Sequence, residues 1–135
     1  MSLIIITHMK VAKKILIIED DSDFRYIVAT SLRSQKYIIL EAKNGQEGVD
    51  VALSAHPDLI LLDLLMPIMD GMTALKKIRE NEWGASVPVI ILTNLNATEE
   101  NIVEDMITHK PLKYLIKSDW KANNLIRAIE DVLGK

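Results

Sequence analysis

Hydrophobic and polar positions follow two different periods along the chain. Short, largely apolar runs such as Lys14–Ile18 and Leu59–Leu62 are typical of strands that are covered on both faces. Between these runs, apolar residues recur at intervals of three and four, which is typical of helices that pack one face against a core. The alternation predicts an α/β domain, in which a parallel sheet carries helices on both faces.

The pattern predicts five strands and five helices. The predicted strands are Lys14–Ile18, Tyr37–Leu40, Leu59–Leu62, Val87–Leu92 and Tyr114–Ile116. The predicted helices are Asp23–Ser34, Asn44–Ala55, Gly71–Asn81, Thr98–Thr108 and Asn123–Leu133. We expect Asp21 or Ser22 to cap the first helix and Gly134 to end the last one.

The first twelve residues have a different character. Leu3–Ile6 is apolar, but it is too short for a signal-peptide core or a membrane span, and no basic segment precedes it. The pair His8-Met9 looks like the remnant of a cloning site. We therefore predict that residues 1–12 are a leader or a cloning-derived extension and that residues 13–135 form the domain.

Composition limits the chemistry that this domain can perform. The chain of 135 residues suits one domain, and its lack of cysteine excludes disulfides, zinc–thiolate sites, iron–sulfur clusters and thiol nucleophiles. Sixteen basic and nineteen acidic residues give a net charge of −3, so no basic footprint for nucleic acid is present. We expect a cytoplasmic protein that binds neither nucleic acid nor membrane directly.

Candidate functional residues follow four of the predicted strands. In open parallel sheets the ligand site lies beyond the carboxyl ends of the strands. Glu19 and Asp20 follow the first strand, Asp63 the third, Thr93 ends the fourth and Lys117 follows the fifth. Carboxylates that converge there repel one another unless a cation joins them, and a few oxygen ligands favour Mg²⁺.

Asp63 stands in an otherwise apolar stretch, where an unpaired acid would be costly. It is a candidate nucleophile towards phosphorus, with Lys117 as a positive charge and Thr93 as a hydroxyl donor. Each residue also has an ordinary interpretation, since acids cap helices and lysines or threonines are common on strands. Their joint arrival at one sheet edge favours the functional interpretation.

Four segments resemble the receiver domain of two-component response regulators: ILIIEDD, LLDLLMPIMDG, VIILTN and YLIK. The resemblance covers about Lys14–Lys135, with the segments in the family's order and spacing. It implies a doubly wound, five-stranded parallel sheet of order 2-1-3-4-5, flanked by five helices in three α/β/α layers. It also implies a signalling phosphoacceptor rather than an enzyme, limited to self-catalysed phosphorylation and autodephosphorylation.

The resemblance assigns a role to each candidate residue. Asp63 would accept the phosphoryl group, and Mg²⁺ would be bound by Asp20 and Asp63 directly, by Glu19 largely through water, and by the backbone carbonyl of Leu65. Three further residues would respond to the phosphoryl group. Thr93 and Lys117 would hold the phosphoryl oxygens, and Tyr114 would rotate with Thr93 as a switch.

The resemblance also implies partners. A histidine kinase or phosphotransfer protein would donate the phosphoryl group and dock near Phe24 and Ile27, beside the loop Ser118–Trp120. Trp120 is either a partner contact or an aromatic residue at the edge of the core. Phosphorylation would change the surface formed by the fourth predicted helix, the fifth strand and the fifth helix. With no output segment after Lys135, a downstream output protein or a homodimer would read that change, unless the chain is part of a longer regulator.

Several positions depart from the family's usual pattern. Ser118 stands where a proline is common, Asn94 replaces a small residue, and the run His109-Lys110-Pro111 replaces a Gly-Ala turn. Leu65 and Leu95 flank the expected path of the hydrolytic water. We predict that these apolar side chains prolong the life of the aspartyl-phosphate.

Two other functions remain open on these residues. A flavodoxin-like cofactor protein would share the topology, but three acids after the first strand would repel a flavin phosphate. A phosphorylation-independent interaction module is the other alternative, because of the departures at Asn94 and Ser118.

Overall fold

The computed structural model describes residues 11–94, 111 and 113–134, except for the side chains of Tyr114 and Asp119. The strands are β1 (Lys14–Ile18), β2 (Ile38–Ala42), β3 (Leu59–Leu62), β4 (Val89–Thr93) and β5 (Lys113–Ile116). The helices in these ranges are α1 (Ser22–Arg33), α2 (Gly45–Ala55), α3 (Gly71–Glu80) and α4 (Ala122–Leu133). Two short 3₁₀ turns cover Trp83–Ala85 and Lys117–Asp119. The helix predicted at Thr98–Thr108 lies outside the described residues, as do residues 1–10 of the predicted leader.

The five strands form one parallel sheet in the order β2-β1-β3-β4-β5, which confirms the implied topology. The register pairs Ile18 with Ala42 on one side and with Leu62 on the other. Because the strands are parallel, all their carboxyl ends lie at the same edge of the sheet.

Buried side chains fill both faces of the sheet. Alternate residues of β1 belong to opposite clusters: Leu16 and Ile18 pack towards α2 and α3, whereas Ile15 and Ile17 pack towards α1 and α4. This alternation is the two-residue period of a strand, and it explains why β1, β3 and β4 are apolar at nearly every position. The described residues therefore form three layers, helix–sheet–helix.

Side-chain caps fix the starts of three helices. Asp21 accepts hydrogen bonds from the peptide N–H groups of Asp23 and Phe24, so Asp21 rather than Ser22 caps α1. Asn44 caps α2 and Asp70 caps α3 in the same way. Gly134 ends α4 with a φ of 83°, as predicted.

Two isoleucines of the described elements are substantially exposed. β2 is not covered like the other strands: Ile38 is 47% exposed, because β2 is an edge strand with β1 as its neighbour. Ile27 on α1 is 50% exposed, since the buried stripe of that helix runs through Val28, Ala29 and Leu32.

The ends of the described strands and helices differ from the predicted ones by at most two residues. β4 begins at Val89 rather than Val87, and the intervening Pro88 has no N–H to donate to a ladder. None of the helices in the described ranges is long and apolar enough to span a membrane.

Candidate functional site

The acidic residues sit directly on the ends of β1 and β3. The peptide N–H of Glu19 donates to the carbonyl of Ala42 at 2.9 Å, and that of Asp63 donates to the carbonyl of Ile18 at 3.1 Å. These bonds continue the sheet ladder by one residue beyond each strand. The backbone of both acids is therefore tied to the neighbouring strand.

Three carboxylates meet at this edge. Oxygen atoms of Glu19, Asp20 and Asp63 all lie within 4.8 Å of one another. Glu19 is 3% exposed and Asp63 is 5% exposed, whereas Asp20 faces solvent. The structure thus brings together the three acids that the sequence predicted.

Lys117, at the end of β5, joins the two buried acids. Its Nζ atom lies 2.5 Å from Glu19 Oε1 and 3.3 Å from Asp63 Oδ2. Burial raises the pKa of Glu19 to about 7, although the Lys117 ammonium and the Asp21 N–H favour the charged form. Burial alone would lower the pKa of Lys117, but the carboxylates of Glu19 and Asp63 outweigh it and raise that pKa.

Arg25 contributes to the site in a way that the sequence reasoning missed. Its Nη1 donates to the backbone carbonyl of Glu19 at 2.6 Å, and its Nε pairs with Glu41 Oε1 at 3.0 Å. Arg33 pairs with the other oxygen of Glu41 at 3.1 Å. A cation near the start of a helix is unfavourable with respect to the helix dipole, and this unusual position is the one feature of the sequence that pointed to Arg25.

Thr93 and Leu65 lie at the same edge, whereas Tyr114 lies within β5. Thr93 is fully buried at the end of β4, where it pairs with Ile116. The backbone of Tyr114 pairs with Ile91 in β5, but its side chain lies outside the part of the chain that the structure describes. Leu65 lies beside Asp63, since its N–H donates to Asp63 Oδ1 at 3.3 Å.

The donor set fits a divalent cation with oxygen ligands. The Lys117 ammonium offsets one of the three carboxylate charges, and the buried Glu19 holds a proton more readily than an ordinary glutamate. A hard cation would remove that repulsion, and carboxylate oxygens are the ligands that Mg²⁺ prefers. Asp20, which is exposed, leaves room for the waters that Mg²⁺ retains.

Comparison with known sequences connects this site to a family. Residues 15–130 match the response regulator receiver domain. The chain is 37% identical over 89 residues to the DNA-binding dual master transcriptional regulator RpaA of Synechocystis sp., which covers 66% of this chain and 37% of RpaA. It is 32% identical over 121 residues to the sensor histidine kinase TmoS of Ectopseudomonas mendocina, covering 90% of this chain and 12% of TmoS. The chain therefore spans well under half the length of these curated relatives.

Solved structures agree with the sequence match. The receiver domain of the sensor histidine kinase PA1611 from Pseudomonas aeruginosa PAO1 superposes with a TM-score of 0.81 at 30% identity, covering 93% of this chain and 100% of that one. That structure holds a magnesium ion in its active site cleft. The chemotaxis protein CheY4 of Vibrio cholerae shares the fold, with a TM-score of 0.82 at 24% identity over 90% of this chain and 99% of CheY4.

The sheet order, the acids at its carboxyl edge and the match over residues 15–130 lead to one conclusion. This chain belongs to the response regulator receiver domain family of two-component signalling.

Proposed function

We propose that this receiver domain accepts a phosphoryl group on Asp63, in a reaction that requires Mg²⁺. The observation that carries the proposal is the position of the Asp63 carboxylate. It is 5% exposed, lies 3.3 Å from the Lys117 ammonium, and has oxygen atoms of Glu19 and Asp20 within 4.8 Å. In that position, the Lys117 ammonium can attract the oxygens of an incoming phosphoryl group, and the neighbouring carboxylates can bind a divalent cation.

The proposed donor is the phosphohistidine of a histidine kinase or of a phosphotransfer protein. An Asp63 carboxylate oxygen forms a bond to phosphorus as the phosphorus–nitrogen bond breaks, and the imidazole leaves with the electron pair and takes up a proton. The chemistry needs in-line positioning and compensation of the charge on the phosphoryl oxygens. Asp63 thus acts as a phosphoacceptor in signalling rather than as a turnover enzyme.

Magnesium, when bound, would neutralise charge on the phosphoryl oxygens. Asp20 and Asp63 would bind it directly, Glu19 largely through water, and Leu65 through its backbone carbonyl. The support for this set is the convergence of the three carboxylates and the short path from Asp63 to the Leu65 backbone.

Lys117 and Thr93 would hold the phosphoryl oxygens after transfer. Lys117 Nζ already contacts the Asp63 carboxylate, and Thr93 ends the neighbouring strand. In the proposal, Tyr114 responds together with Thr93 as the switch. Its neighbours in the sheet, Ile91 of β4 and the rest of β5, connect it to Thr93.

The donor protein is proposed to dock on α1. Two large side chains of that helix are exposed, Tyr26 at 68% and Ile27 at 50%, and they lie on the helix that begins just after Asp20 and Asp21. A downstream output protein or a second copy of the chain would read the phosphorylated state.

We propose the domain boundary near Lys13, which the start of β1 at Lys14 and the family match from residue 15 support. The cytoplasmic location stays a prediction.

The test is incubation with acetyl phosphate and Mg²⁺, followed by intact-protein mass spectrometry. We expect a gain of one phosphoryl group in the wild type, none in Asp63→Ala, and none when Mg²⁺ is removed with a chelator. Asp50→Asn, which changes an exposed acid on α2, is the matched control and should be phosphorylated like the wild type. No gain in the folded wild type would favour the phosphorylation-independent interaction module instead.

A further inference from the structure

We propose that the rings of Phe24 and Trp120 hold the Lys117 ammonium in place, which makes Phe24 a positioning residue for phosphoryl transfer to Asp63. The part of this inference that concerns transfer rests on the proposed function. The part that concerns the position of Lys117 stands on the contacts of the free protein.

Phe24, on the first turn of α1, contacts the lysine through its ring face. Lys117 Nζ lies 4.8 Å from the centroid of the Phe24 ring. This distance is within the range over which the electron-rich face of an aromatic ring attracts a cation. The attraction is stronger where solvent is excluded, and the Lys117 side chain is only 12% exposed.

Trp120 fixes the orientation of the Phe24 ring. The two ring centroids are 5.6 Å apart and the planes make an angle of 74°, which is the edge-to-face geometry that aromatic pairs prefer. Both rings are partly buried and pack against the core cluster between the sheet, α1 and α4. The Phe24 ring is therefore not free to turn away from the lysine.

Trp120 is also tied to the backbone of Lys117. The residues Lys117–Asp119 form a 3₁₀ turn, in which the Trp120 N–H donates to the Lys117 carbonyl at 2.9 Å. The lysine is thus held at both ends. The 3₁₀ turn, closed by the backbone N–H of Trp120, fixes its backbone, and the Phe24 ring contacts its ammonium.

A ring contact suits this lysine because it uses none of its three N–H donors. A lysine carries its charge on a flexible four-carbon stem, so its position must be fixed by its surroundings. The Lys117 ammonium donates to the carboxylates of Glu19 and Asp63, at 2.5 Å and 3.3 Å. The Phe24 ring adds attraction without competing for a donor that the phosphoryl oxygen will need.

The test compares Phe24→Leu, which removes the ring, with Phe24→Tyr, which keeps it. Thr30→Ala, on the exposed side of the same helix, is the matched control. The first measurement is the rate at which a small acylating reagent labels Lys117 in the Mg²⁺-free protein, read by peptide mass mapping. We expect the labelling rate to rise about tenfold in Phe24→Leu, because Lys117 is less firmly held once the cation–π attraction is lost. Phe24→Tyr and Thr30→Ala should label like the wild type.

The second measurement is phosphorylation by acetyl phosphate at saturating Mg²⁺. We expect Phe24→Leu to lower the maximal rate about tenfold without changing the affinity for Mg²⁺, and Phe24→Tyr to restore the rate. Trp120→Leu, which removes the edge contact, should act in the same direction to a smaller extent.

The outcomes distinguish the positioning role of Phe24 from the proposed phosphorylation of Asp63. Unchanged Lys117 labelling in a folded Phe24→Leu variant would overturn the positioning role, whatever the phosphorylation rates. Ring-dependent labelling in a wild-type protein that acetyl phosphate does not modify would instead count against the proposed function, and would leave the hold on the lysine intact. Equal loss of rate in Phe24→Leu and Phe24→Tyr would show a packing role only and would also overturn the proposal.

Discussion

Gly71 lies against the backbone of Asp63 so closely that no side-chain atom fits between them. A Cβ atom built on Gly71 would be 2.1 Å from the carbonyl oxygen of Asp63. The Gly71 N–H also donates to the carbonyl of Leu64, at 2.9 Å. Helix α3 therefore begins directly against the strand end that carries the candidate phosphoacceptor.

This contact predicts that Gly71→Ala displaces Asp63. The atoms in the way belong to the backbone and cannot rotate aside, so we expect the free energy of unfolding to fall by about 1–3 kcal/mol. We also expect slower phosphorylation of Asp63 by acetyl phosphate, measured by mass spectrometry. Lys76→Ala, on the exposed side of α3, is the control and should retain both properties. Wild-type stability and rate in Gly71→Ala would contradict the prediction.

Ile68 is held in a backbone conformation that its side chain disfavours. Its φ is 69°, in the left-handed region, and its side chain is 82% exposed, so packing does not repay the strain. We expect Ile68→Asn to raise the free energy of unfolding by about 1 kcal/mol, measured by denaturant titration. Ile38→Asn replaces an exposed isoleucine in a strand and should lower it. A loss of stability in both variants would argue against strain at Ile68.

Asp20 offers the most direct test of metal binding, because it faces solvent and its replacement should not disturb the core. We expect Asp20→Asn to weaken Mg²⁺ binding at least about tenfold, measured by isothermal titration calorimetry on the unphosphorylated protein. Asp23→Asn, an exposed acid in the same run, should bind Mg²⁺ as the wild type does. Equal affinities in the two variants would place the cation elsewhere.

Arg25 and Arg33 both form ion pairs with Glu41, but the pair with Arg25 is part-buried and the pair with Arg33 is exposed. Arg25 also donates to the backbone of Glu19, and its side chain is 18% exposed against 49% for Arg33. We expect Arg25→Met to lower the free energy of unfolding by about 2 kcal/mol, since a charged hydrogen bond to a part-buried carbonyl is lost. Arg33→Met should cost less than about 0.5 kcal/mol, as exposed pairs do. Chemical denaturation measures both, and similar losses would refute the distinction.

Leu65 is 55% exposed beside Asp63 and is one of the two apolar residues that we expect to hinder the hydrolytic water. The other, Leu95, lies outside the described residues. The Leu65→Asn variant should lose its phosphoryl group faster than the wild type, because an amide can hold that water. The half-life of the phosphorylated protein, followed by mass spectrometry after removal of acetyl phosphate, measures this. Ile27→Asn changes an equally exposed residue on α1 and should leave the half-life unaltered. A half-life in Leu65→Asn that is no shorter than in the wild type would defeat the prediction.

The alternation of apolar runs and amphipathic segments was enough to predict the sheet, its parallel strands and the helices on both faces. Glu19, Asp20 and Asp63 could be predicted as one cluster for the same reason, since parallel strands bring their carboxyl ends to one edge. Both predictions depend on local periodicity and on a rule of topology. The exposure of Ile38 on the edge strand β2 could not be predicted in this way, because neighbours that are distant in sequence decide it.

Tertiary structure alone decided the contacts within the site. Lys117 lies nearer to Glu19 than to Asp63, from which it is separated by 54 positions, and its ammonium meets the ring of Phe24 on a different element. Arg25 reaches Glu19 and Glu41 only because α1 lies across the ends of β1 and β2. The sequence by itself determined which residues arrive at the sheet edge, because the backbone pattern carries them there. How far each side chain stands from the next depends on the packing of separate elements, where differences of an ångström decide which charge pairs with which.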